Sequence, residues 1–79
     1  MISMDIKLSE LKKGRSAIIK SIVKDELFLK LMEMGCLPGE TITVDHIAPL
    51  GDPISVLISG YNLSLRINEA DQILVEEII

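Results

Sequence analysis

Apolar residues recur at every second position along much of this chain, and this period restricts the fold more than any other feature. In residues 41–48, for example, Ile42, Val44 and His46 alternate with polar residues. Because successive side chains of a β-strand point to opposite faces, the period indicates strands with one buried face. The segments predicted as strands are residues 16–23, 41–48, 54–59, 63–67 and 73–75.

The first predicted strand contains a slip in this alternation. Ala17 and Ile19 belong to one face, whereas Ile22 belongs to the other. All three point inward only if one extra residue is inserted between them. We therefore expect a β-bulge near residues 20–21, because bulges shift the alternation by one and bend the strand.

One segment has a helical period instead. Leu27, Leu31 and Met34 form a single stripe, which predicts a helix over residues 25–34 with Gly35 following its end and the two stripe residues Leu31 and Met34 in the core. Phe28 and Met32 widen the apolar face, and Leu29 lies nearly opposite it. We expect Leu29 to be exposed and the other two to be partly exposed, as at a contact site or in a helix that straddles two parts of the core.

The connections are short and rich in turn-forming residues. Residues 60–62 are predicted to form a tight hairpin turn, and two prolines bound a longer loop at residues 49–53. Residues 68–71 are typical of one helical turn capped by Asn68. Five short strands with one inserted helix predict a mainly β fold, a small, partly open SH3-like barrel formed as a single domain by residues 1–79.

The composition excludes several classes of protein. No apolar run exceeds three residues, so we expect no membrane span and no secretory signal. The lone Cys36 allows no internal disulfide, which fits a cytoplasmic protein. The net charge of −4 argues against nucleic acid as a partner. Residues 1–30 hold seven Lys or Arg against four acids, whereas residues 31–79 hold one against eight, an asymmetry typical either of an interaction face or of solvated side chains.

Chemistry-bearing residues are few and scattered. Cys36 and His46 lie ten residues apart without further ligand spacing, so we predict no metal site, a His46 at the edge of the core and a Cys36 that packs as a small apolar residue. Glu76 and Glu77 are neighbours on a strand and point to opposite faces, which excludes an acid–base pair. We predict no catalytic or cofactor-binding residues, no cofactor and no enzymatic activity.

Several motifs, taken in order, resemble the bacterial ferrous iron transport protein A family. The resemblance covers nearly the whole chain and rests on residues 8–14 (LSELKKG), 31–39 (LMEMGCLPG), 48–54 (APLGDPI), 60–70 (GYNLSLRINEA) and 73–75 (ILV). It implies an SH3-like accessory protein that works with an inner-membrane ferrous iron transporter carrying a cytosolic GTP-binding domain. The C-terminal domains of iron-dependent repressors share parts of this pattern, so the alternative is a regulatory or metal-sensing module.

The residues expected to bind the transporter come from three segments. The resemblance implies docking on the cytosolic GTP-binding region at the inner face of the membrane, and a weak homo-oligomer is a further partner that the pattern permits. Arg66 is the only cation after Lys30, and an ion pair with Glu69 or Asp71 is the alternative role for its side chain. Asp52 is equally typical of a residue that caps its own loop. The predicted protein-binding residues are Phe28, Leu29, Met32, Pro49, Leu50, Asp52 and Arg66.

Overall fold

One antiparallel sheet of six strands dominates the computed structural model, which describes residues 3–23 and 26–78. The strand order is β1-β6-β2-β3-β4-β5, so β1 and β5 are the edges of a barrel that stays partly open, as predicted. In chain order the elements are β1 (Ser3–Lys7), a 3₁₀ turn (Leu8–Glu10), β2 (Ser16–Ile22), α1 (Phe28–Glu33), β3 (Thr41–Ile47), β4 (Ile54–Ile58), β5 (Tyr61–Leu65), α2 (Ile67–Ala70) and β6 (Ile73–Ile78).

The sixth strand, β1, was not among the predicted segments. Met4 and Ile6 alternate with polar residues, but only Ile6 is partly buried and the other four residues are exposed, so the strand has almost no buried face. The strand exists because it pairs with β6 at the other end of the chain, from Ser3 opposite Ile78 to Lys7 opposite Leu74. A pairing across more than sixty residues leaves no local signal.

Two β-bulges decide which side chains enter the core. The register of β2 against β6 shifts between Ile19 and Ser21, which confirms the predicted bulge and lets both Ile19 and Ile22 be buried. A second shift, between Val44 and His46 against β4, was not predicted. It turns His46 outward, so the prediction that His46 shares the inner face of Val44 at the edge of the core is wrong.

The β4–β5 hairpin turns one residue earlier than predicted. Its two turn residues are Ser59, with φ of 50°, and Gly60, with φ of 85°. Positive φ at both positions is the geometry of a type I′ turn, which matches the twist of the flanking strands. Tyr61 and Asn62 therefore belong to β5 rather than to the turn.

Helix α1 is shorter than the predicted segment. Residues 26–27 form a turn before it, and residues 24–25 lie outside the described part of the chain. Leu31 is fully buried as predicted, whereas Met34 lies just beyond the last helical residue and is only partly buried against the core. Gly35 then adopts a φ of 96°, and a Cβ there would lie 2.5 Å from the Tyr61 hydroxyl, which donates a hydrogen bond to the carbonyl of Met34 (2.8 Å).

Helix α2 also begins earlier than predicted. It starts at Ile67 with Arg66 as the N-cap residue, so the predicted capping role of Asn68 is wrong. The Glu69 carboxylate accepts a hydrogen bond from the Arg66 N–H (2.8 Å) and closes the first turn from within. A carboxylate near a helix start satisfies backbone N–H groups that have no intrahelical acceptor.

The core lies between the inner face of the sheet, the 3₁₀ turn and the two helices. Cys36 is buried among its apolar residues, which confirms the prediction that it packs as a small apolar side chain. None of the helices formed by residues 3–23 and 26–78 is both long and apolar enough to cross a membrane. The fully buried large side chains are Leu8, Ile19, Leu31, Ile42, Val44, Val56, Ile58, Leu65, Ile73 and Val75.

Replacing Leu31 with alanine tests how α1 contributes to this core. Leu31→Ala should lower the free energy of unfolding by roughly 2–4 kcal/mol, because it removes a fully buried side chain and leaves a cavity. The matched change Leu29→Ala, on the exposed side of the same helix, should stay within about 0.5 kcal/mol. Urea denaturation measures both, and equal effects of the two changes would contradict the placement of the helix.

Candidate protein-binding surface

Helix α1 presents one leucine to solvent and buries another. Leu29 is 70% exposed, whereas Leu31 is 0% exposed, which confirms that the two lie on different sides of the helix. Phe28 and Met32 are partly buried and pack against the core. Leu29 is therefore the apolar side chain of this helix that packs least against the core. Phe28 and Met32 lie between the core and the surface.

The loop after β3 presents a second leucine. Residues 48–53 are closed by hydrogen bonds from the Gly51 N–H to the Ala48 carbonyl (2.7 Å) and from the Ala48 N–H to the Pro53 carbonyl (3.1 Å). Leu50 lies at the tip and is 96% exposed, and Pro49 beside it is also exposed. The loop thus holds an apolar side chain almost entirely in water.

Asp52 connects this loop to α2. Its Oδ1 accepts a hydrogen bond from the N–H of Ile67, the first residue of the helix (3.1 Å). The sequence left open whether Asp52 caps its own loop; the described hydrogen bond instead satisfies the start of a helix in another segment. This contact fixes the position of the loop relative to α2.

Glu69 connects the other side of α2 to α1. Its side chain is 8% exposed, and its Oε2 lies 2.7 Å from the Nζ of Lys30 while Oε1 accepts the Arg66 N–H. The hydrogen bond from Lys30 lowers the pKa of Glu69 below its ordinary value, and the Arg66 N–H adds to this effect against the opposing effect of burial. The carboxylate is therefore charged near neutral pH, and it uses one oxygen to close the start of α2 and the other to hold α1.

Arg66 does not form either of the ion pairs weighed from the sequence. Glu69 is paired with Lys30, and Asp71 accepts a hydrogen bond from the Ser9 hydroxyl. The Arg66 side chain is exposed and forms no ion pair with the residues that the structure describes. Its charge remains solvated at the start of α2.

The three predicted segments therefore converge on α2, although they are far apart in the sequence. Lys30 in α1 contacts Glu69 in α2, and Asp52 in the loop contacts Ile67, the first residue of α2. Arg66 is the residue immediately before α2. We call this region the helix–loop surface and define it by residues 28–32, 48–53 and 66. Lys30 and Glu69 were missed from the sequence because their contact joins residues 39 positions apart.

Part of the charge asymmetry of the sequence is neutralised by ion pairs within the fold. Arg15 pairs with Glu77 (2.9 Å) and Lys20 with Glu76 (3.4 Å), so strand β6 neutralises cations at the start of and within β2. With the Lys30–Glu69 pair, three cations of the first thirty residues face acids from the last third. Three of the seven cations of residues 1–30 are thus engaged in ion pairs within the fold.

Cys36 and His46 occupy different environments. Burial, and secondarily the negative charge of Glu69, raises the pKa of the Cys36 thiol, which keeps it protonated. His46 is exposed on β3. Within residues 3–23 and 26–78, no three side chains of the types His, Cys, Asp and Glu come close enough together to hold a metal ion.

The FeoA domain model matches residues 6–77 of the sequence. The chain belongs to the FeoA domain family. A fusion of Fe(2+) transport protein A with the Fe(2+) transporter FeoB, from Porphyromonas gingivalis, is 45% identical over 72 residues. That match includes 90% of this chain but only 8% of the length of the fusion protein, so the chain corresponds to a small part of it.

Solved FeoA structures have the same fold. The FeoA-like protein of Clostridium acetobutylicum is 38% identical, with a TM-score of 0.90 over 100% of this chain and 92% of that one. The zinc complex of FeoA from Stenotrophomonas maltophilia, a prokaryotic SH3 domain protein, is 30% identical, with a TM-score of 0.79 over 91% of this chain and 95% of that one. The fold is thus SH3-like, as predicted.

A unit of this fold also occurs within longer proteins. The crystal structure of T. acidophilum IdeR matches 94% of this chain with 34% of its own length, at 25% identity and a TM-score of 0.82. The resemblance to repressor domains noted in the sequence therefore extends to the fold.

The Glu69 contacts predict a specific dependence of stability on pH. Because the folded-state pKa of Glu69 is lowered, its contribution is complete above the ordinary value near 4.5 and disappears as pH falls through the lowered value. Glu69→Gln should cost about 1–2 kcal/mol at pH 7, the low end for charge-assisted hydrogen bonds because Lys30 is largely exposed. In urea denaturation, the difference in unfolding free energy between Glu69→Gln and the parent should disappear as the pH falls below 4.5. The exposed Glu33→Gln should differ little from the parent at any pH. A difference for Glu69→Gln that does not change with pH would contradict this role.

Proposed function

We propose that this FeoA domain is a non-catalytic accessory protein of ferrous iron uptake that docks on the cytosolic GTP-binding region of a FeoB-type transporter. The observation that carries the proposal is the fusion relative, in which a domain 45% identical to this chain shares one polypeptide with FeoB. Two domains joined in one chain remain close to each other throughout their lifetime, which favours a direct contact between them. The place of action is then the cytoplasmic face of the membrane.

The helix–loop surface is the docking face in this proposal. Leu29 and Leu50 are the two most exposed of the large apolar residues of the described chain, at 70% and 96%. Each lies on an element held to α2 by a hydrogen bond, so the two backbone segments have defined positions before a partner arrives. Prearranged segments reduce the entropy lost on docking, and exposed apolar side chains of this size often mark an interface.

The second candidate function is a regulatory or metal-sensing module, favoured by the similarity to T. acidophilum IdeR. Such a module requires a metal site of its own, whereas the docking function does not. Anaerobic calorimetry with Fe(II) distinguishes the two. A saturable site with Kd at or below about 1 μM, near −8 kcal/mol, would support the sensor.

Replacing Leu29 with aspartate tests the docking face. Leu29→Asp should leave the melting temperature nearly unchanged, because the side chain is exposed, and should weaken binding to the purified cytosolic part of FeoB by about 1–3 kcal/mol. Leu57→Asp is the matched control, since Leu57 is also exposed (41%) but lies on β4, outside the helix–loop surface. Calorimetry or a pull-down measures both variants.

Three outcomes of this experiment would count against the proposal. A Leu29→Asp protein that unfolds would show that the leucine supports the core. Equal binding by Leu29→Asp and the parent would remove α1 from the docking face. Absence of binding by the parent itself would contradict docking on the transporter.

A further inference from the structure

Arg66 lies at the junction of the two elements that carry the exposed leucines. Its own N–H is bound by Glu69, whose other oxygen holds Lys30, the residue next to Leu29. The N–H of the following residue is bound by Asp52, two positions from Leu50 in the loop. The start of α2 is thus hydrogen-bonded to both elements, so a partner that covers both leucines comes close to it.

The acids near Arg66 already have other partners. Both oxygens of Glu69 are occupied, Asp71 is bound by Ser9, and Asp52 accepts the N–H of Ile67. The guanidinium of Arg66 is left to solvent, without an ion pair in the described residues. An exposed guanidinium is stable in water, but it becomes costly once a partner removes that water without offering an acceptor.

We propose that the docking partner presents a carboxylate to Arg66 between the apolar surfaces that receive Leu29 and Leu50. This inference rests on the proposed docking function and specifies the chemistry of its partner. A guanidinium offers a planar fork of donors that matches the two oxygens of a carboxylate, and arginine is enriched among the residues that dominate interface energies.

The surrounding charges favour a single carboxylate over an extended polyanion. Asp52 lies beside Arg66, and the whole chain carries a net charge of −4. At the helix–loop surface, Arg66 is the cation that has no ion pair with the described residues. A nucleic acid or an anionic lipid surface would be attracted by Arg66 but repelled by these negative charges. A protein segment with one acidic residue flanked by apolar ones meets only the cation and the two leucines.

Charge reversal at Arg66 tests the inference against the same cytosolic part of FeoB. Arg66→Glu should weaken binding about 30-fold or more, because it places two carboxylates together in a desolvated contact. Arg66→Lys should retain more of the affinity than Arg66→Gln, since it keeps the charge but loses the fork. Lys13→Glu is the matched control: it makes the same change in charge at an exposed cation in the turn before β2, and should bind within about twofold of the parent.

The outcomes separate this inference from the docking function itself. Loss of binding by Leu29→Asp together with normal binding by folded Arg66→Glu and Arg66→Gln would overturn the carboxylate and leave docking intact. Failure of the parent to bind would overturn both. Loss of self-association by Arg66→Glu, with transporter binding unchanged, would identify a second copy of this chain as the occupant and would also overturn the inference. Melting temperatures of all variants establish that each one is folded.

Discussion

The helix–loop surface depends on the contacts that the buried Glu69 carboxylate makes with Lys30 and with the Arg66 N–H. Helix α1 has only six residues, fewer than an isolated helix needs to persist in water, so its position must come from contacts with the rest of the molecule. Leu31 supplies apolar burial, and Lys30 supplies an ion pair with a carboxylate that is itself fixed by the backbone of α2. The backbone at the exposed Leu29 is held in place because the two residues that follow it, Lys30 and Leu31, are both fixed.

Helix α2 also orders the loop. Asp52 accepts a hydrogen bond from the N–H of Ile67, and Glu69 accepts one from Lys30. The single turn of α2 is therefore bound both to the loop that carries Leu50 and to the helix that carries Leu29. A barrel of this size buries a limited number of side chains, and 48% of the residues are apolar, which leaves several of them in water. The two most exposed ones, Leu29 and Leu50, both lie on elements that are hydrogen-bonded to α2. This arrangement differs from scattered exposed apolar residues, which are normal on any protein.

The sequence was most informative where a signal is local. The alternation in β3, β4 and β5 and the slip in β2 each lie within a few residues, and the predicted bulge follows from three positions, Ala17, Ile19 and Ile22. The exposure of Leu29 follows equally from the angular step of a helix. These features depend on which face is apolar, and that is written in neighbouring residues.

Features that depend on distant pairing were not accessible in this way. Strand β1 is held by β6, and the Lys30–Glu69 pair joins two helices, so each depends on a partner far away in the sequence. The bulge at His46 interrupts an alternation that otherwise runs on without a break, which is why the sequence placed that side chain on the inner face. Leu29 was found because an exposed leucine contradicts the helical stripe, and Leu50 because two prolines bound its loop, whereas the contacts that support them required the structure.

We propose that α1, the loop and the start of α2 act as one docking surface. Amide resonances of the ¹⁵N-labelled chain, followed by NMR during titration with the unlabelled cytosolic part of FeoB, test this proposal. We expect shifts and line broadening to concentrate in residues 28–33, 48–53 and 66–70, with β1 and the turn at residues 12–15 unchanged. Changes concentrated in β1 and that turn, with residues 48–53 and 66–70 unaffected, would contradict it.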